Sequence, residues 1–140
     1  MNQGISFQLT QIADTPSAEV ELKDPETGAP MGVFFLLAGP EHELRREQDF
    51  ARQRKLRAHF SKTGRMQLAD PAEEEQDNIA ALVSATLGWR NVKDVSGAEV
   101  PWSSAAATAL FNAPEVGWMR AQLLAAMNER ERFIKRSATA

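Results

Sequence analysis

The chain has 140 residues, 43% of them apolar and 25% charged, with a net charge of −3. This is the composition of a folded globular chain, and at this length roughly two-thirds of the unfolded surface is buried in a single core. The sequence has no cysteine, no tyrosine and two histidines, His42 and His59. Disulfides, thiol nucleophiles and thiolate metal centres are therefore excluded.

The first residues, Met1 to Ser6, lack the basic stretch and apolar run of a signal peptide. The longest apolar run, Met31 to Gly39, falls far short of the roughly 20 residues of a membrane-spanning helix. The expectation is a soluble protein of the cytoplasm. Charge alternates along the chain: −4 over residues 1–40, +4 over 41–65, −5 over 66–100 and +2 over 101–140. Such blocks suit segments that attract each other or separate partners better than a continuous nucleic-acid footprint.

In chain order, Ala18, Val20 and Leu22 alternate with Glu19, Glu21 and Lys23, the period of a strand with one wet face. Asp24-Pro25-Glu26-Thr27-Gly28 predicts a hairpin turn. Met31 to Ala38 is apolar at every position, which predicts a strand covered on both faces. Phe7, Leu9 and Gln11-Ile12 are candidates for a third strand. Gly39-Pro40 ends this region, and Glu41 to Phe60 predicts a helix with acids early and bases late. Its apolar residues are few, so it lies half-wet on the surface or docks elsewhere. Ser61 to Leu68 reads as a polar link.

Asp70-Pro71-Ala72-Glu73 predicts a helix start, with Asp70 as side-chain cap and Glu73 closing a capping box. Ile79, Leu82, Val83 and Leu87 form its apolar stripe, and Gly88 is expected just past its end. A polar loop with a turn at Ser96-Gly97 follows. Ser103 or Ser104 then caps a short helix, Ala105 to Phe111. A last helix is expected from Pro114 to about Ile134, with fraying from Ser137 to Ala140. The fold class is α+β, a small N-terminal antiparallel sheet followed by about four helices. Its regions are an N-terminal β region (1–40), a basic helix and link (41–65) and a C-terminal helical region (70–134).

Catalytic chemistry is hard to assemble from these residues. His42 and His59 would lie roughly 25 Å apart on one helix, too far to share a metal. The acidic run Glu73-Glu74-Glu75-Gln76-Asp77 sits where a helix dipole stabilises negative charge, and its neighbours point in different directions. No enzyme activity, cofactor or metal is expected. The bases Arg45, Arg46, Arg52, Arg54, Lys55, Arg57, Lys62 and Arg65 could neutralise phosphates, but Glu41, Glu43, Glu47 and Asp49 lie among or beside them. Trp89, Trp102 and Trp118 are the candidate anchors. Either two of them close the core around the loop, or at least one stands in a partner-binding groove. Met119 and Met127 are either lining of such a groove or core.

Leu82 to Val92 with its Gly88-Trp89, then Ser96-Gly97, then Val100-Pro101-Trp102-Ser103-Ser104, then a short helix, a break and a long helix, resembles the tail assembly chaperones of long-tailed bacteriophages. The acidic hairpin Glu19 to Pro30 and the Gly39-Pro40-Glu41 start of an Arg-rich helix are more loosely similar to their N-terminal halves. The resemblance implies a non-enzymatic protein of the host cytoplasm, encoded by a phage or prophage, that coats a tape-measure protein and brings tail-tube subunits to it. Trp89, Trp102, Trp118, Met119 and Met127 would then be partner-binding residues. Two other functions fit the residues: a structural head–tail connector or tail-completion protein, and a nucleic-acid-binding regulator using the basic helix.

Overall fold

Two hydrogen-bonded strands open the chain's main sheet. In β2 (Ser17–Lys23) Val20 and Leu22 are buried while Glu19 and Lys23 face water, as the alternation predicts. The turn to β3 (Pro30–Ala38) closes on Asp24, whose Oδ1 accepts from the amides of Glu26 (2.8 Å) and Thr27 (3.1 Å). Gly28 then turns through φ 76°, a left-handed conformation that costs glycine nothing. The computed structural model describes residues 9, 12–65 and 70–136. Phe7 and Gln11 of the expected third strand, part of the expected link and the terminal residues 137–140 lie outside them.

The third strand of this sheet comes from elsewhere. Helix α2 (Pro71–Ala85) ends before Gly88, and Thr86–Arg90 is strand β4, antiparallel to β3 with Phe35 opposite Trp89. Sheet order is β2-β3-β4. At the junction, buried Thr86 donates its hydroxyl to the carbonyl of Leu82 at 2.7 Å, and its backbone is already extended. The free edge of β3 then satisfies the backbone groups that a longer helix would have used. Gly88-Trp89 therefore belongs to a strand, not to a helix end.

Helices α2, α3 (Ser104–Asn112) and α4 (Gly117–Met127) cover one face of the sheet. The core joins Val20, Leu22, Phe35 and Leu37 to Leu82, Phe111, Leu123 and Phe133. The architecture is α+β, as expected. The opposite face is open, which corrects the expectation of a strand covered on both sides. Leu36 there is 36% exposed, and Phe34 is shielded by the Arg90 guanidinium, 3.8 Å from the ring centre.

The long C-terminal helix is also shorter than expected. After a 3-10 turn at Pro114–Val116, α4 stops at Met127, a second 3-10 turn spans Arg130–Phe133, and β5 (Ile134–Arg136) pairs antiparallel with β1 (Ile12–Asp14). Phe133 is fully buried, and the Thr15 amide donates to its carbonyl at 2.6 Å. Placing that ring in the core and pairing β5 with β1 outweigh a further turn of polar helix.

Helix α1 (Glu43–Thr63) starts later and runs longer than expected, capped by Nδ1 of His42 accepting from Leu44 N and ended by Gly64 at φ 66°. None of its residues is buried. Arg45 ties its first turn to the core by donating to the carbonyls of Ala38 (3.1 Å) and Met127 (3.0 Å). At the start of α2, Asp70 stands at the capping position with Pro71 behind it, but its side chain makes no capping hydrogen bond. The expected capping box is not formed, and α2 begins with Pro71 and the acids Glu73 and Glu74 in its first turn.

Candidate partner-binding site

The loop between β4 and α3 is built by short-range polar bonds. Asn91 leaves β4 at φ 63° and its side-chain amide donates to the Gly32 carbonyl at 2.9 Å. Oδ1 of Asp94 accepts from Ser96 N (2.9 Å), Ser96 Oγ (2.6 Å) and Ala98 N (3.0 Å), while Gly97 turns at φ 88°. These bonds, the Ser96 hydroxyl first and the Ala98 amide next, hold the Asp94 carboxyl below its ordinary pKa. Lys93 bridges to Glu99 and Val100 N donates to Val92 O at 2.8 Å, so the loop doubles back as a small ribbon.

That ribbon brings Trp89 and Trp102 into the lining of one open cleft of about 250 Å³. Trp89 is held by an edge-on contact with Phe35, at 5.8 Å between ring centres, and by its Nε1 donating to Val100 O at 2.8 Å. Trp102 has no such support and is 40% exposed. Ser103 behind it caps α3 by accepting from Ala106 N, which fixes where the chain turns but leaves the indole free. Asn91, Val92, Glu99, Val100 and Pro101 complete the walls. At one end stands Arg90, bound to Glu19 by two hydrogen bonds of 2.8 and 2.9 Å. That pair draws the Glu19 carboxyl below its ordinary pKa, chiefly through the hydrogen bond. The cleft offers aromatic and aliphatic walls, with a carboxylate and a guanidinium at its margin.

The other candidate anchors are placed differently, as their environments dictate. Trp118 is half-buried on α4 and packs against the core. Met119 and Met127 are buried core residues, exposed to 4% and 7%, and line no groove. Of the five candidates, Trp89 and Trp102 meet in one place. Arg90, Val92 and Pro101 join them without any signal of their own in the sequence, because the Trp-x11-Pro-Trp spacing alone does not reveal that the loop folds back on itself. His42 serves as a helix cap, and among the described residues no group of three His, Asp or Glu side chains could hold a metal ion. No described helix is long and apolar enough to cross a membrane.

The basic helix is also on the surface. Leu44, Phe50, Leu56 and Phe60 of α1 are exposed to 45%, 46%, 46% and 51%. Arg46 stacks over the Phe50 ring at 5.7 Å from its centre. No protein-family model, curated protein or solved structure matches this chain.

Proposed function

We propose that the chain is a phage tail assembly chaperone, acting in the host cytoplasm by binding a tape-measure protein and bringing tail-tube subunits to it. The reading starts from the likeness of residues 82–104 to that family. One observation carries it further: two tryptophans at either end of a polar loop face one open aromatic cleft, with the outer indole unsupported and exposed. An exposed indole in a concave site is a poor choice for a monomer's surface and a good one for gripping apolar residues of a second polypeptide.

Co-expression with the tape-measure protein should raise that partner's soluble yield, and Trp102→Ala should abolish the gain. Because Trp102 is largely outside the core, this substitution should cost less than about 1 kcal/mol of folding stability. Trp89→Ala removes a packed ring and should cost about 2–3 kcal/mol. An unchanged tape-measure yield counts against the chaperone. Recovery of the chain in stoichiometric amounts from purified virions would favour a connector or tail-completion protein instead.

A further inference from the structure

Helix α1 spans 21 residues without one buried side chain; it meets α2 of its own chain, but no ion pair joins the two among the described residues, so packing within the described chain holds it weakly. Its second half carries charge of one sign. Residues 50–65 contain Arg52, Arg54, Lys55, Arg57, Lys62 and Arg65 and no acid. Among the described residues none of these six makes an ion pair, as the pairs present use Arg90, Arg120, Arg130 and Arg132. At about 100° per residue, Phe50, Leu56 and Phe60 fall within about 120° of the helix circumference, with Arg57 between them.

The following element carries the opposite charge. Residues 70–77 hold Asp70, Glu73, Glu74, Glu75 and Asp77 without a cation, and all eight are exposed. Of these acids only Glu75 pairs among the described residues, with Arg120 at 3.4 Å. Helix dipoles account for part of this pattern, since acids suit a helix start and bases a helix end. That effect fades beyond the terminal turn, and Arg52, Arg54, Lys55 and Arg57 lie farther back than that from the end at Thr63.

We infer that α1 docks on a second copy of this chain. The cationic half of α1 lies along the acidic first turns of the copy's α2, and the reciprocal contact forms by two-fold symmetry. Each copy carries both patches, so a closed isologous pair makes the contact twice. The same contact covers Phe50, Leu56 and Phe60. Nucleic acid is the less favoured occupant, because Glu43, Glu47 and Asp49 precede the cationic stretch and the acidic turns of α2 follow it, both repelling phosphate.

The test is light scattering behind size exclusion on the full chain. Twice the chain mass is expected at roughly 0.1 M salt, falling toward the chain mass at roughly 1 M, where the screening length shrinks from about 10 to about 3 Å. Arg52→Glu/Arg54→Glu/Arg57→Glu and Glu73→Lys/Glu74→Lys/Asp77→Lys should each run at the chain mass with an unchanged far-UV circular dichroism spectrum. Mixed in equal amounts, they should form a heterodimer. Phe50→Ala/Phe60→Ala, which keeps every charge, should lower the average mass at roughly 0.1 M salt below that of the wild type. Chain mass for the wild type at low salt, or failure of the two charge-reversed variants to pair, overturns the inference. So does a low-salt monomer retained on DNA with a steep salt dependence, which would assign α1 to nucleic acid.

Discussion

At the scale of single residues, two positions state their own constraint. Gly39 lies where the chain leaves β3: a Cβ there would sit 2.8 Å from the Thr15 carbonyl oxygen and 3.0 Å from the Phe133 ring. Backbone and a fully buried ring cannot both yield, so Gly39→Ala should destabilise by about 1–3 kcal/mol in chemical denaturation. In the sequence Gly39-Pro40 reads as a strand stop, which it is, but the close approach of Phe133 from 94 residues later is invisible there. Asp94 makes the second case. Its carboxyl is held below the ordinary value by the Ser96 hydroxyl and the Ala98 amide. The stability this contributes is complete above the unfolded value of about 3.9 and is lost as pH falls through the lower folded value. A nuclear magnetic resonance titration should place the Asp94 midpoint below that of a free aspartate.

Elements show where local preference ends and tertiary pairing takes over. The hairpin of β2 and β3 is legible because alternation and a Pro–Gly turn are local signals, and the short α3 is legible from Ser103 at its cap. The end of α2 is not. Leu87 and Gly88 continue its helical stripe and its expected stop, yet Thr86–Arg90 is a strand because β3 offers an unpaired edge some fifty residues upstream. Likewise the helical pattern up to Ile134 yields to β5, whose partner β1 lies at the other end of the chain. Helix α1 is legible as a helix and as poorly buried, since its few apolar residues form no core stripe. Its amides beyond the Arg45 anchor should therefore exchange with solvent at least about tenfold faster than those of α2 at Leu82 or α4 at Leu123, measured in high salt to keep the chain monomeric.

For the whole molecule, one core joins the sheet to three helices, and Phe133 closes it from the C-terminal side beneath the β1–β5 ribbon. Phe133→Ala should cost about 3–5 kcal/mol and loosen the ribbon together with the core, seen as a lower denaturation midpoint by both tryptophan fluorescence and circular dichroism. Within the candidate site, the sequence marks Trp89 and Trp102 as weighty because large indoles need burial or a partner. It does not say that a ribbon held by Asp94 folds them to one cleft, nor that Met119 and Met127 point into the core. Residue order alone thus determined the class of fold, the wet and dry faces of β2, the separate charge blocks and the surface placement of α1, since each follows from spacing within a few residues. Tertiary structure decided the third strand, the length of α4, the closing ribbon and the cleft. Those depend on which distant backbone edges and ring-sized spaces remain to be filled once the local elements have formed.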